Sequence, residues 1–379
     1  MSAGEQQHGS TAAERHARAL WSGVVEPGDG IAGALVATLG AERAWQAAAD
    51  GDAVAADAAG LDERTFSRAR ARWRPRASDA HRAVDDARRA GVRLVVPGDP
   101  EWPHRVDDLG THAPIALWVR GARALESNAP TVAIVGARAA SEYGEHVAGE
   151  LASGLAEAGV AVISGAAYGI DASAHRAALA AGGTTLAVLA GGADRSYPVG
   201  NTTLIDRIAE HGAVVSEAPC GTSPSKWRFL SRNRVIAALS DVTIVVEAGR
   251  RSGSLNTAGH AATLGRPLGA VPGPVTSAGS AGCHRLLREY DATCVTGLDD
   301  VRELLGFDVG QPDHGGGRTD DSTRVLDALS SRTARTVDEI ARRCGMAPDE
   351  CGGLLALLEM AGAAVRDDVG GWRRSGGAR

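Results

Sequence analysis

The chain has 379 residues and a formal net charge of −6, from 46 acidic and 40 basic side chains. The length allows two or three domains, and the acidic balance excludes a nucleic-acid-binding surface that covers the whole molecule. Any such surface must be local. The only lysine among the basic residues is Lys226, and this bias towards arginine is by itself no functional signal.

Cysteine usage and the N-terminal sequence bear on the cellular compartment. The cysteines are odd in number and lack CxxC spacing, which argues against a disulfide framework or a zinc site. The polar start, MSAGEQQHGSTAAERHARA, lacks the apolar core of a signal peptide, and no uncharged apolar run reaches about 18 residues. We therefore expect a cytoplasmic protein with no membrane span, no metal and no cofactor. The cysteines are Cys220, Cys283, Cys294, Cys344 and Cys351.

The N-terminal quarter of the chain predicts a tail followed by helices. Residues 1–14 are polar and predict disorder, and the Ala- and Arg-rich segment after them predicts a helical domain over 15–90. Arg64, Arg68 and Arg72 would lie on one face of a helix in this domain. Such a row is either an auxiliary DNA surface or, more commonly, a solvated helix face, and the sequence leaves both open.

Residues 91–307 alternate short apolar runs with helical segments, which predicts βαβ units around a parallel sheet. The clearest helix spans 141–158, where Val147, Leu151 and Leu155 form one apolar stripe. In such a Rossmann-like sheet, ligands bind beyond the carboxyl ends of the strands, so the loops there should carry the function. The runs that predict the parallel strands are 132–135, 160–163, 185–189, 213–215, 242–246 and 268–271, and residues 115–119 predict a separate short strand before them.

The C-terminal part begins with a Gly-rich polar segment, 308–322, which predicts a linker. Residues 323–379 then predict three helices and a hairpin, the layout of a winged helix-turn-helix. The predicted fold class is therefore α/β, an extended Rossmann-like parallel-sheet domain with a small helical N-terminal domain and a C-terminal winged helix. The helices and the hairpin are expected at 324–330, 337–343, 348–361 and 365–372.

The loop after the strand at 132–135 is suited to binding a phosphate. Gly136 allows a sharp turn and a close approach of a ligand to the backbone. Ser141 suits a helix N-cap, which leaves free N–H groups at the helix start for an anion, with the charge of Arg138 beside them. The alternative is a plain tight turn with a surface arginine.

The next loop is bounded by Gly165 and Gly169, which again make a helix start favourable to an anion. Asp171 and His175 follow four residues apart and share a helix face. A catalytic Asp–His pair is conceivable there. A capping aspartate with a packed histidine is the commoner arrangement.

Three tyrosines lie in three different strand-end loops, at Tyr143, Tyr168 and Tyr197. This distribution suggests stacking or hydrogen bonding at a shared surface. In the loop that contains Tyr197, Asp194 and Asn201 either orient the backbone or contact a sugar or base. Ordinary turn chemistry is an equal alternative.

The segment 226–234 places four positive charges and two aromatic rings within nine residues. Single-strand grooves combine cations for the phosphates with ring faces for the bases, so we predict Lys226, Arg232, Asn233 and Arg234 as DNA contacts. Their position near a helix start adds the helix dipole to the field. A solvated basic turn is the alternative.

The loop after the strand at 242–246 offers Ser252, Gly253 and Ser254 at a helix start, where hydroxyl and backbone N–H groups bind phosphate. Glu247, at the strand end, is either a general base or a residue that ties the loop down. We favour the second role.

Together these motifs resemble those of the DprA/Smf family of bacterial DNA-processing proteins, over residues 102–297. The upstream WPHRVDDLGTHAPIALWVRG looks like the family's segment before the Rossmann-like domain, and members often add the two flanking domains predicted here. The motifs that carry the resemblance are VGARAASEYG, SGAAYGIDASAH, VLAGGADRSYPVGN, SEAP, FLSRNRVIAALS, VVEAGRRSGSLNTAGHA and AVPGPV.

The resemblance implies a non-catalytic protein that binds single-stranded DNA, protects it and helps load the RecA recombinase onto it during natural transformation. Single-strand-binding protein is a further candidate partner, and members commonly act as homodimers. By motif match, Arg138, Arg232 and Arg234 should contact the DNA backbone, while the loop glycines and residues 252–254 shape the pocket. No metal or cofactor is implied.

The sequence departs from the family pattern in places. A basic residue is usual where Thr184 stands, so one phosphate contact is missing or has moved to Arg195. Residues 282–292 differ from the usual GCNxLIxxGA, which bears on any dimer contact there. In the winged helix only Arg342 and Arg343 stand out as DNA-binding candidates, so we expect this module to dock a partner.

Two other functions fit the same fold class. A phosphoribohydrolase of the lysine-decarboxylase-like group would share the core, but that class carries PGGxGTxxE, and the nearest stretch here, 252–257, has no following glutamate. The second alternative is a nucleotide-sensing module that uses the winged helix as its transducer.

Overall fold

The computed structural model describes residues 10–125, 129–307, 321–368 and 370–375. The chain forms two compact units, Met1–Asp308 and Val309–Arg379. Within the described ranges no helix combines the length and the apolar character that a membrane crossing requires. The same residues contain no group of three or more His, Cys, Asp or Glu side chains placed to hold a metal ion.

The first helix begins inside the segment predicted as a disordered tail. Thr11 caps it, because the Thr11 side chain accepts a hydrogen bond from the backbone N–H of Glu14, and helix α1 spans Ala12–Val24. Residues 12–14 are therefore helical, which corrects the predicted boundary. Residues 1–9 lie outside the described residues.

Six more helices complete the N-terminal helical region. Its core centres on the fully buried Trp21, whose ring meets Trp45 and Trp73 edge-on, with centroids 5.5 and 5.0 Å apart. Edge-to-face pairs of this kind stabilise a core beyond the area they bury. The helices are α2 (Gly30–Leu39), α3 (Ala41–Asp50), α4 (Ala53–Ala58), α5 (Glu63–Trp73), α6 (Ala77–Ala80) and α7 (Ala83–Arg89).

The centre of the first unit is a nine-stranded sheet. Its strands are β1 (Arg93–Val95), β2 (Leu117–Arg120), β3 (Thr131–Val135), β4 (Ala161–Ser164), β5 (Thr185–Leu189), β6 (Ala213–Ser216), β7 (Val242–Val245), β8 (Leu268–Ala270) and β9 (Thr293–Cys294). The strand order is β1-β2-β6-β5-β4-β3-β7-β8-β9, with β3 to β9 all parallel. The predicted parallel sheet is therefore confirmed. The strand predicted at 115–119 is β2, which joins β6 and β1 in antiparallel pairs.

Helices cover both faces of this sheet, which is why its strands need continuous apolar runs. Alternate residues of β3 pack on opposite sides, so that Ile134 joins the core of α8 while Val135 joins that of α11. In α8 the predicted stripe is present, with Leu151 and Leu155 buried. The helices are α8 (Glu142–Glu157), α9 (Ile170–Ala180), α10 (Thr202–His211), α11 (Lys226–Leu239), α12 (Ser254–Thr263), α13 (Ala281–Glu289) and α14 (Leu298–Leu304).

The second unit has the predicted winged-helix layout. A capping box between Thr336 and Glu339 starts its second helix, and Gly345 ends that helix with a φ of 69°. Residues 308–320 of the predicted linker lie outside the described residues, and 321–322 belong to the first helix. The elements are α15 (Asp321–Ala328), α16 (Val337–Cys344), α17 (Pro348–Met360), β10 (Ala364–Arg366) and β11 (Trp372–Arg374).

Candidate nucleic-acid interface

Loops at the carboxyl ends of β3 to β8 surround one cavity of about 960 Å³, here called the ligand cavity. The sequence predicted that the loops beyond these strand ends would carry the function, and the structure brings them together. In α/β sheets this edge is favourable for ligands because helix N-termini and loop amides converge there.

Most of the residues predicted as DNA contacts line the ligand cavity. Those that line it are Gly136, Arg138, Lys226, Arg232, Asn233, Ser252, Gly253 and Ser254. Those that do not are Ser141, Gly165, Gly169, Arg195 and Arg234. The division follows from how each side chain is held by its neighbours.

The wall of the ligand cavity carries excess positive charge. Arg138, Lys226 and Arg251 are exposed, and their charged groups form no hydrogen bond or ion pair within the described part of the chain. Arg232 adds a fourth cation, and Asp171 is the one carboxylate among the lining residues. A local positive site therefore exists on a chain whose net charge is −6.

Aromatic rings lie among these cations. The Arg138 and Arg232 guanidinium carbons are 4.9 and 5.9 Å from the centroid of the Phe229 ring. The Tyr197 ring lies 5.6 Å from that of Phe229, and Trp227 in the same helix is 75 % exposed. Flat apolar faces beside cations are the components that stacked bases and phosphates require.

Arg232 is a buried part of the cavity wall. Its Nη1 donates to the carbonyl oxygens of Gly165 (2.9 Å) and Val188, and its Nε donates to Asn233 Oδ1 at 3.2 Å. Burial lowers its pKa to about 10, so the side chain keeps its charge at neutral pH. Arg232 thus supplies positive field and joins two loops, while several of its donors are already engaged by the protein.

Arg234 points away from the ligand cavity. It lies two residues after Arg232 in α11, which rotates it by about 200° around the helix. Its Nη2 donates to both carboxylate oxygens of Glu217 at 2.7 and 2.6 Å, and both side chains are largely buried. The contact expected between Arg234 and the DNA backbone does not fit this placement, because the guanidinium is paired with Glu217 outside the ligand cavity.

Ser141 caps α8 as predicted, since its hydroxyl accepts from the N–H of Gly144 at 3.2 Å. The helix start was predicted to bind an anion of the ligand, but in the structure a carboxylate of the protein, Glu247, occupies it. Glu247 Oε2 accepts from the backbone N–H of Ser141 at 2.9 Å and from its hydroxyl at 3.2 Å. The role favoured for Glu247, tying the loop down, is confirmed.

Asp171 and His175 are both engaged in structural hydrogen bonds. Asp171 Oδ2 accepts from the backbone N–H groups of Gly165 (3.1 Å) and Ala167 (3.3 Å), and burial raises its pKa. His175 is fully buried, with Nδ1 2.7 Å from Thr185 Oγ1. The structural alternative to a catalytic pair therefore fits both residues.

His175 should make stability depend on pH. Burial lowers its pKa from 6.5 to about 3, so below pH 6.5 the unfolded state binds a proton that the folded state excludes. We expect its contribution to the free energy of unfolding to fall by about 2 kcal/mol between about pH 7 and about pH 5. Urea denaturation of the wild type and of His175→Gln at both pH values measures this difference. If the free energy of unfolding changed equally with pH in the two proteins, the lowered pKa of His175 would be contradicted.

The family follows from the sequence and from the two domains together. The model of DNA recombination-mediator protein A matches residues 93–306, and that of the DprA winged helix domain matches 309–368. A Mycobacterium tuberculosis relative described as a DNA processing protein DprA is 48% identical over 314 residues, which cover 77% of this chain and 80% of the relative. This chain belongs to the DNA recombination-mediator protein A family.

Two solved structures of DNA processing protein A share its fold. The Streptococcus pneumoniae protein is 30% identical with a TM-score of 0.62, over 78% of this chain and 98% of that one. The Helicobacter pylori protein is 30% identical with a TM-score of 0.52, over 56% of this chain and 95% of that one. The latter structure was described for the unique single-stranded DNA binding mode of that protein.

In this member of the recombination-mediator family, the loop glycines act mainly through close packing. A Cβ on Gly165 would lie 2.1 Å from Arg232 Nη1. Gly169 has a φ of +72°, and a Cβ there would lie 2.3 Å from the carbonyl oxygen of Ala137. Both glycines shape the loops behind the ligand cavity without lining it, so their predicted role as direct contacts does not fit their position.

Asp194 and Asn201 orient backbone, the first of the two roles weighed from the sequence. Asp194 accepts from the N–H of Gly221 at 3.0 Å, and Asn201 Nδ2 donates to the carbonyl oxygens of Ala166 and Ala167. Arg195 Nη1 donates to Ser223 Oγ at 3.1 Å, outside the ligand cavity. Arg195 is therefore not among the cations that line the ligand cavity.

Sequence reasoning missed Arg251, which lines the ligand cavity beside the 252–254 loop. There Ser252 Oγ lies 2.7 Å from Ser254 Oγ, and the N-cap of α12 is Gly253, which has no side chain to cap the helix. The signal was present, since an Arg-Arg pair directly precedes the Ser-Gly-Ser motif. The sequence does not show that Arg251 rather than Arg250 lines the cavity, because the loop conformation decides this.

Proposed function

We propose that the protein binds single-stranded DNA in the ligand cavity. Phosphates contact Arg138, Lys226 and Arg251, and unpaired bases stack against the rings of Phe229 and Tyr197. The observation that carries this proposal is that three cations without an ion pair among the described residues line one cavity of about 960 Å³ together with the rings of Phe229 and Tyr197. The binding mode described for the Helicobacter pylori protein supports it.

The aromatic rings favour an unpaired strand over a duplex. Bases within a duplex are stacked on each other and hide their faces, whereas single-stranded bases present them to protein rings. Phe229 and Tyr197 line the ligand cavity. Trp227, which like Phe229 belongs to α11, is exposed in the first turn of that helix. A duplex would meet the cations but would leave these rings without partners.

We further propose that binding occurs without chemistry on the DNA. Asp171, His175 and Glu247, the candidates for acid–base roles, all hold backbone or a neighbouring hydroxyl. The cellular function is then protection of incoming DNA in the cytoplasm and loading of the RecA recombinase during natural transformation. Single-strand-binding protein is a further partner, and the protein acts as a homodimer. Membership of the recombination-mediator family supports this role.

Binding should weaken steeply with salt, because phosphate neutralisation releases counterions. Three free cations predict a slope of about −2 for the logarithm of the association constant against the logarithm of the salt concentration. Fluorescence anisotropy with a labelled oligothymidylate at rising salt concentrations measures the slope. Salt-insensitive binding, or no binding, would overturn the proposal.

A nucleotide is the second candidate ligand, because cavities of about 300–1,000 Å³ hold small molecules. Calorimetry with mononucleotides, compared with oligothymidylate and a duplex of equal length, separates the two ligands. We expect the oligonucleotide to bind tightest. Tighter mononucleotide binding would favour nucleotide sensing, and release of base from AMP would favour the hydrolase.

A further inference from the structure

A row of arginines on α5 has no role in the ligand cavity. Arg64, Arg68 and Arg72, here called the arginine stripe, are all exposed and follow each other at intervals of four residues. At about 1.5 Å per residue the stripe is about 12 Å long. Along a helix, residues four apart share a face, so three guanidinium groups point in one direction.

Two of the three guanidinium groups of the stripe are not held by an ion pair. In the described residues no hydrogen bond or ion pair engages the guanidinium groups of Arg64 and Arg68. Arginines elsewhere in the helical region do have partners, such as Arg43 with Asp52 at 2.7 Å. Like charges four apart destabilise a helix, so the stripe does not serve the stability of α5.

The loop that holds Glu26 and Asp29 pairs with arginines of both α5 and α11. Arg72 Nη2 lies 3.6 Å from Asp29 Oδ2, and three residues earlier Glu26 receives Arg76 at 2.7 Å. The other partner of Glu26 is Arg228, with two hydrogen bonds of 2.9 Å.

Arg228 belongs to the first turn of α11, two residues after Lys226. Lys226 lines the ligand cavity. The stripe thus belongs to the same compact unit as the cavity, and the ion pairs of Asp29 and Glu26 lie on the chain segment that contacts both α5 and α11. The carboxylates of Asp29 and Glu26 are each paired with at least one arginine, so they add no net negative charge beside the stripe.

We propose that the arginine stripe binds the phosphates of a single-stranded DNA that extends beyond the ligand cavity. The inference rests on the proposed function of that cavity. Guanidinium groups suit this ligand because they contact phosphate oxygens through paired N–H donors and stay charged at any physiological pH. The stripe does not line the cavity, so we expect only a strand longer than the cavity holds to reach it, and strand length then distinguishes the two surfaces.

The test compares two lengths of oligothymidylate, about 6 and about 20 nucleotides, on the full-length protein and on Arg64→Ala/Arg68→Ala. For the longer strand we expect an affinity loss of about tenfold, and a salt slope smaller in magnitude by about 1.4, since two contacts disappear. For the shorter strand we expect no change. Alanine is the best helix former, so α5 should remain folded, which circular dichroism verifies.

The matched control is Arg88→Ala/Arg89→Ala, which removes the same charge from α7, where each arginine pairs with an aspartate three residues earlier. Wild-type affinity of the stripe variant for the longer strand would overturn the inference. Equal weakening in both double variants would also overturn it, because the loss would then reflect net charge. If the wild type binds neither length, the proposed function itself fails.

Discussion

Replacing Arg138, Lys226 and Arg251 together by alanine should weaken oligothymidylate binding about a hundredfold at low salt. At about 1 kcal/mol for each charge-assisted contact, three contacts amount to about 3 kcal/mol. The charged groups of the three side chains form no hydrogen bond or ion pair within the described residues, and Arg138 alone lies over a ring, that of Phe229, so the free energy of unfolding should change by less than about 1 kcal/mol. Anisotropy titration and urea denaturation of the same preparations measure both quantities.

A triple variant with the same loss of charge provides the control for this experiment. Arg43, Arg285 and Arg302 are partly exposed, pair with nearby carboxylates and do not line the ligand cavity. Their replacement by alanine should leave binding nearly unchanged. Comparable weakening in the two triple variants would mean that overall charge, rather than the cavity, controls binding.

Arg234→Ala should cause the largest loss of stability, about 3–5 kcal/mol in the free energy of unfolding. The substitution leaves the Glu217 carboxylate buried without its cation, and breaking a buried ion pair from one side carries a penalty of this size. The folded fraction should still bind oligothymidylate, because Arg234 lies outside the ligand cavity. Urea denaturation gives the stability, and titration at low temperature gives the binding.

Two control variants test whether the loss of stability in Arg234→Ala comes from the buried ion pair. Arg228→Ala removes an arginine from the same helix, but its pair with Glu26 is more exposed, so the loss should stay below about 1 kcal/mol. Arg234→Met/Glu217→Leu should recover much of the stability, since Arg234 Nε and Nη1 lack partners among the described residues even in the wild type. An Arg234→Ala protein of normal stability that has lost oligonucleotide binding would restore Arg234 as a DNA contact.

The parallel sheet could be predicted because its signals are local. Buried strands need apolar side chains on both faces, so the runs that became β3 to β8 are visible in the sequence. Helix starts are equally local, and Ser141 was recognised as an N-cap from its residue type alone. The antiparallel attachment of β2 to β6 was not predicted, because this pairing joins segments about a hundred residues apart.

The sequence by itself determined strands β2 to β8, the apolar stripe of α8 and the edge of the sheet at which the ligand cavity forms. It also marked segment 226–234 as rich in cations and rings. The tertiary structure alone decided which cations are free, because it engages Arg234 with Glu217 and Arg232 with two carbonyls. The physical reason is that residue type fixes a charge, whereas only the packed neighbours decide whether protein or ligand neutralises it.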